Sequence, residues 1–140
     1  MVRVDVAREL ELEEDKAIVL VVEDEVLIRL MLADALRSEG INVIEASNGE
    51  EAMRVLQSAL PVQLVLTDIR MASELDGLAL AHAARAVRPG LKLIVASSHV
   101  SGDEVAGLAD AFFSKPYALA AIIDRVKSLL SEADHERHQA

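Results

Sequence analysis

The alternation of short apolar runs with longer helical patterns predicts an α/β domain: a parallel sheet with helices on both faces. Five runs read as strands, Ala17–Val22, Asn42–Ala46, Gln63–Thr67, Lys92–Ala96 and Ala111–Ser114, and each is followed by a candidate helix. The first, third and fourth runs (AIVLVV, QLVLT and KLIVA) lack the polar alternation of a half-exposed strand, which places them in the centre of the sheet. A chain of 140 residues is one domain by size, and folding buries roughly two-thirds of the surface its unfolded form exposes.

Each connecting element has its own signal. In the first helix Ile28, Met31, Leu32, Ala35 and Leu36 recur at the three-and-four spacing of a core-facing stripe, with Gly40 at the position of a left-handed C-cap. Leu27 and Leu30 fall off that stripe. The second helix spans about Gly49–Ala59, capped by Asn48 and stopped by Pro61, and the third runs from Gly77 to Val87, ended by Pro89-Gly90. A fourth, Gly102–Ala109, carries Gly107 inside it and is expected to be short and irregular. The last helix runs from Ala118 to about Glu132. The folded core is thus expected over residues 16–132, flanked by a polar extension over 1–15, with helical potential through Val6, Leu10 and Leu12, and a polar tail over 133–140.

Composition removes several classes of function. The absence of cysteine excludes disulfides, thiolate metal sites and a cysteine nucleophile, and fits a reducing cytoplasm. One Tyr, two Phe and no Trp leave no aromatic platform for bases or sugars. A formal charge of −10 opposes direct contact with a nucleic-acid backbone. No secretory signal or membrane span is expected, since no stretch approaches about 18 uninterrupted apolar residues. No Gly-rich nucleotide-binding turn follows any strand.

In a sheet of this kind ligands sit beyond the carboxyl ends of the strands. The residues there form a coherent set: Glu23 and Asp24 after the first strand, Asp68 after the third, Ser97 after the fourth and Lys115 after the fifth. Two carboxylates about 4 Å apart repel by about 4 kcal/mol at a surface-like dielectric, and Lys115 cancels only one of three negative charges. A hard divalent cation with oxygen ligands, Mg²⁺ or Mn²⁺, would relieve the repulsion, and magnesium at a few carboxylates commonly works with phosphate. Asp68, central in the set, is then the candidate to accept a phosphoryl group as an acyl phosphate, with Lys115 and Ser97 meeting its oxygens.

Four segments, Val21-Val22-Glu23-Asp24-Glu25, Leu66-Thr67-Asp68-Ile69-Arg70-Met71 with Asp76-Gly77, Val95-Ala96-Ser97-Ser98, and Ser114-Lys115-Pro116-Tyr117, resemble the signature segments of response-regulator receiver domains in the family's order. The resemblance covers about residues 17–131. It implies a flavodoxin-like, doubly wound five-stranded sheet of order 2-1-3-4-5, with Asp68 as phosphoacceptor from a sensor histidine kinase or histidine phosphotransfer protein. It also implies metal ligation by Glu23, Asp24, Asp68 and the Arg70 backbone carbonyl, with Ser97 as the switch hydroxyl, Lys115 as the phosphate-contacting lysine and Phe112 as the aromatic switch. Leu27, Leu30, Pro116 and Tyr117 are the candidate docking residues, and a phosphorylation-linked homodimer is compatible with the family.

Several features depart from the family pattern. Met71 is not followed by proline, one extra residue precedes Asp76-Gly77, Ser98 stands where Gly or Ala is common, and the interval from Ser97 to Lys115 is short. The chain left after Lys115 suffices for one helix and a tail, so a stand-alone switch acting on a protein partner, and not a turnover enzyme, is expected. Two rivals stay open: a degenerate receiver acting as a phosphorylation-independent adaptor, and an aspartyl-phosphate phosphatase, which would find Arg70 where its second acid belongs. At single residues, Glu23-Asp24 also suits a simple helix N-terminus, Phe112 suits plain core, and the polar ends around His135 and His138 suit solvent. Leu27 and Leu30 could equally lie under the N-terminal extension, and His99 reads as a solvated loop residue.

Overall fold

The structure, a computed structural model, describes residues 17–69, 71, 76–98 and 105–139, with side chains described as far as Ala133. Five parallel strands, β1 (Ile18–Val22), β2 (Asn42–Ala46), β3 (Val62–Asp68), β4 (Lys92–Ser97) and β5 (Ala111–Ser114), pair in the order β2-β1-β3-β4-β5. The three runs without polar alternation are the three central strands. Helices α1 (Val26–Ser38), α2 (Gly49–Leu56), α3 (Gly77–Val87) and α4 (Leu119–Gln139) cover the sheet.

Alternate residues of β1 show why both faces must be covered. Ile18, Leu20 and Val22 enter a core with Ala52 and Leu56 of α2 and Leu80, Ala81 and Ala84 of α3. Val19 and Val21 enter a second core with Leu32, Ala33 and Leu36 of α1 and Ile122, Val126 and Leu129 of α4. Each buried aliphatic side chain contributes about 1.5–3 kcal/mol of transfer free energy, so neither sheet face could be left wet.

Helix ends follow the sequence signals closely in places. Asn48 Oδ1 accepts from the Glu51 amide at 2.8 Å, and Glu51 Oε1 in turn accepts from the Ser47 amide at 2.8 Å, an interlocked N-terminus. Gly40 takes the left-handed φ of 79° expected of it after α1.

Four expectations need correction. Helix α2 stops at Leu56 instead of Ala59, because the Arg88 guanidinium takes the carbonyls of Leu56, Ser58 and Val62 at 3.1, 3.0 and 3.3 Å and draws the chain into β3. Met31 is 46% exposed, while Ala33 is fully buried in its stead; one residue is a 100° step on a helix, and the inward line of α1 runs through Leu32, Ala33 and Leu36. Asp68 and Ser97 are the last residues of their strands, not the first after them. Helix α4 continues past Glu132 to Gln139, through a run without Gly or Pro to stop it.

Between β4 and β5, the expected irregular helix falls partly outside the described residues, at 102–104. What is described is a turn in which the Leu108 and Ala109 amides donate to Val105 O, with Gly107 at a φ of 84°. Asp110 anchors its end: Oδ2 accepts from Arg85 and from the Leu93 amide, each at 2.8 Å, and Arg85 also donates to Leu108 O at 2.9 Å. Residues 1–16, with Val6, Leu10 and Leu12, lie outside the described residues, as do His99 and the side chains of His135 and His138. Among the described residues no helix is long and apolar enough to cross a membrane.

Candidate functional site

The sheet register brings the carboxyl ends of β1, β3, β4 and β5 together. Val22 aligns with Thr67, Asp68 with Ala96, and Ser97 with Ser114, so Glu23, Asp68, Ser97 and Lys115 emerge side by side. The Lys115 ammonium lies between two acids, 2.8 Å from Asp68 Oδ2 and 3.2 Å from Glu23 Oε1. All three side chains are largely shielded, at 19%, 12% and 4% exposed. Charge-assisted bonds in such surroundings are stronger than their solvated counterparts.

Glu23 is held through both its backbone and its side chain. Its amide donates to Ala46 O at 3.1 Å, its Oε2 accepts from the Glu25 amide at 3.2 Å, and its carbonyl accepts from Arg29 at 2.8 Å. Ser97 is fully buried, and its carbonyl accepts from the Lys115 amide at 3.1 Å, tying β4 to the lysine. Asp24 is half-buried on the loop just beyond Glu23. Asp68 is positioned by close packing: its carbonyl accepts from Thr67 Oγ1 at 2.8 Å and lies directly against Gly77. Arg70 lies outside the described residues.

Phe112 is half-buried against the α2–α3 core, and Tyr117 is half-buried against the α1–α4 core. Leu27 and Leu30 are exposed on α1, at 81% and 42%. Beside them a pocket of about 400 Å³ is lined by Ile28, Met31, Ser98, Lys115, Pro116 and Tyr117. Of the expected docking residues, Pro116 and Tyr117 line this pocket together with Lys115, while Leu27 and Leu30 are exposed on α1 next in sequence to its Ile28 and Met31.

Burial is the largest single influence on the charged groups of the site. Burial pushes the Glu23 carboxyl above its ordinary value, against the lowering effects of the Glu25 amide and of Lys115. Burial also opposes charge on Lys115, but the hydrogen bond to Asp68 and the charges of Glu23 and Asp68 outweigh it and raise the lysine. Glu23 is thus raised mainly because it is buried, with the charge of Asp68 adding last, while the lysine beside it is held in its charged form by the two acids. Tyr117 is raised by burial first, then by Glu23 and Asp68.

This arrangement suits a hard cation in one respect and not in another. The donors are all oxygens on adjacent strand ends and short of positive charge, as Mg²⁺ requires. Yet among the described residues no three acidic or histidine side chains are gathered into a ready-made cage. Lys115 occupies the space between Glu23 and Asp68, so the expected triad of Glu23, Asp24 and Asp68 is not closed. Magnesium keeps several waters and often uses only one or two carboxylates, so the residues fit a partly hydrated ion.

Glu23 also yields a pH expectation. Because its folded pKa is raised, the folded state holds the proton more tightly, and that stabilisation is lost as pH rises from the ordinary glutamate range through the raised value. Urea unfolding of Glu23→Gln should therefore show a variant more stable than the parent at neutral pH, with the difference closing as pH falls toward 4.5. A constant difference at all pH values would contradict the raised carboxyl.

A sequence model of the response regulator receiver domain matches residues 19–127. The transcriptional regulatory protein PrrA of Mycobacterium tuberculosis is 40% identical over 116 residues, which are 80% of this chain and 49% of PrrA. The sensor kinase CckA of Brucella abortus is 35% identical over 123 residues, 84% of this chain and 13% of CckA. Among solved structures, response regulator TrrA of Thermotoga maritima, in complex with Mg²⁺–BeF, superposes with a TM-score of 0.73 at 33% identity, covering 81% of this chain and 98% of TrrA. The chain spans about half the length of transcriptional regulators such as PrrA.

Proposed function

The chain belongs to the response regulator receiver domain family, and on that footing we propose that Asp68 is its phosphoacceptor, charged by the phosphohistidine of a sensor kinase or phosphotransfer protein. The observation that carries this reading is the Lys115 ammonium 2.8 Å from the Asp68 carboxylate, at the open end of the sheet and beside an apolar pocket. The Asp68 carboxylate attacks phosphorus, the P–N bond of the donor breaks, and its electron pair returns to the imidazole, leaving an acyl phosphate. Lys115 compensates charge on the transferred oxygens as it does on the resting carboxylate.

Glu23, Asp24, Asp68 and the Arg70 carbonyl would hold Mg²⁺, which supplies further neutralisation of the phosphoryl oxygens; that the related TrrA is found in complex with Mg²⁺–BeF supports magnesium as the ion. Leu27, Leu30, Pro116 and Tyr117 would seat the donor protein. The exposed leucines on α1 offer it apolar contact on the helix whose Ile28 and Met31 line the pocket with Lys115. Ser97 moving toward the phosphate, with Phe112 following, would alter the surface formed by the 105–110 turn, β5 and α4, shifting affinity for a downstream protein. The domain is proposed as a switch with no turnover of its own.

Tyr117 allows a direct test, since it is the sole tyrosine in a chain without tryptophan. Titration with Mg²⁺ and then beryllium fluoride should change its emission saturably and shift the amide resonances of Glu23, Asp24 and Ser97, and Asp68→Asn should abolish the beryllium fluoride step. Unmoved resonances in the parent protein would contradict the proposal.

A further inference from the structure

Arg29 is a charged side chain of α1 that reaches the loop carrying the two candidate metal acids. It does so from six residues downstream, as helical side chains lean toward the helix N-terminus. Its Nη1 donates to the Glu23 carbonyl at 2.8 Å, while its Nε contacts Glu45 Oε1 of β2 at 3.4 Å. The guanidinium is only 16% exposed and Glu45 24%, so neither contact is a loose surface pair.

The carbonyl that Arg29 holds belongs to the peptide joining Glu23 to Asp24. In a trans peptide the C=O and the following N–H point in opposite directions. Fixing the Glu23 carbonyl on Arg29 therefore fixes the plane of that peptide and the direction in which the Asp24 backbone leaves it. The other attachments of Glu23, from its amide to Ala46 and from its carboxylate to Lys115 and the Glu25 amide, leave that plane undetermined.

We propose that Arg29 is a positioning residue that presents Glu23 and Asp24 as a paired acid site, acting through the peptide between them and touching neither phosphoryl group nor metal. The inference rests on the receiver reading for its metal arm. Groups that orient ligands from behind typically change metal affinity ten- to a hundredfold when removed. Glu45 provides the control: it also pairs with Arg37 at 3.1 Å, so its neutralisation loosens α1 on β2 while leaving the bond from Arg29 to Glu23 in place.

The experiment compares Arg29→Ala, Arg29→Lys and Glu45→Gln by Mg²⁺ titration, thermal midpoint and metal-free amide exchange. Arg29→Ala should weaken Mg²⁺ about tenfold and speed exchange of the Glu25 amide, which bonds to the Glu23 carboxylate. Arg29→Lys should recover part of both, and Glu45→Gln should lower the thermal midpoint while leaving both near parental values. Unchanged Glu25 exchange in Arg29→Ala, or an equal change in Glu45→Gln, would overturn the proposal. If the parent protein bound no Mg²⁺, the receiver reading would fail, and the exchange comparison would still decide the role of Arg29.

Discussion

Gly77→Ala is expected to lower the thermal midpoint by roughly 10 °C and to displace Asp68. A Cβ built on Gly77 would lie 1.8 Å from the Asp68 carbonyl oxygen, 2.6 Å from its carbonyl carbon and 2.7 Å from Ile69 Cα. All three are backbone atoms, so no side-chain rotation relieves the clash. Overpacking commonly costs about 1–3 kcal/mol, and a backbone obstacle places this case at the upper end. For a domain of this size each kcal/mol is worth about 3–4 °C.

Helix α3 cannot simply slide away. The Gly77 amide donates to Ile69 O at 2.8 Å, and Asp76 caps the helix by accepting from the Ala79 amide at 2.9 Å. The end of β3 and the start of α3 are one joint, and Asp68, the proposed phosphoacceptor, sits on it. Calorimetry of Gly77→Ala beside Asp76→Ala separates the two contributions, since loss of the cap alone should cost about 1 kcal/mol. Equal midpoints for Gly77→Ala and the parent protein would show that the contact with Asp68 is absent in solution.

Lys115→Met should slow phosphorylation about a hundredfold while leaving Mg²⁺ binding intact or tighter. Removing a group aimed at developing charge costs about 10²–10³ in rate in comparable sites. The metal behaves oppositely, because removing the ammonium between Glu23 and Asp68 makes the acid cluster more negative and vacates the space between its carboxylates. Stability should fall at neutral pH, where two shielded carboxylates face each other without their cation, and recover as they protonate. A time course of adduct formation by mass spectrometry, with Mg²⁺ affinity measured separately, checks both halves. Parallel loss of the two would mean that Lys115 acts only as scaffold.

Most of the fold was legible because the signals are local. Runs without polar alternation marked the central strands, Asn48 the start of α2, and Gly40 the end of α1. What local pattern could not supply was the exact facing of a helix or contacts between distant segments. Met31 and Ala33 differ by two positions on one helix, and only packing against β1 and β2 decides which turns inward. The early end of α2 depends on Arg88, 32 residues beyond Leu56, the carbonyl it binds.

The same division applies to the site. Glu23, Asp68, Ser97 and Lys115 were legible because a parallel sheet places all strand ends on one side, whatever the loops do. Arg29 was missed, since its value comes from a carbonyl that no sequence pattern marks; an arginine on the first turns of the helix after an acidic pair, with an acid at Glu45 in the next strand, was the available signal. Gly77 was seen as a helix start, but its closeness to Asp68 needed the packed backbone.

The central claim is that Asp68 carries the phosphoryl group, and intact-mass analysis after incubation with Mg²⁺ and acetyl phosphate tests it most directly. Wild-type protein should gain a single phosphoryl adduct, lost on chelating the metal beforehand and absent from Asp68→Asn. No adduct on the wild-type chain from acetyl phosphate or from a phosphohistidine donor, or an equal adduct on Asp68→Asn, would contradict it.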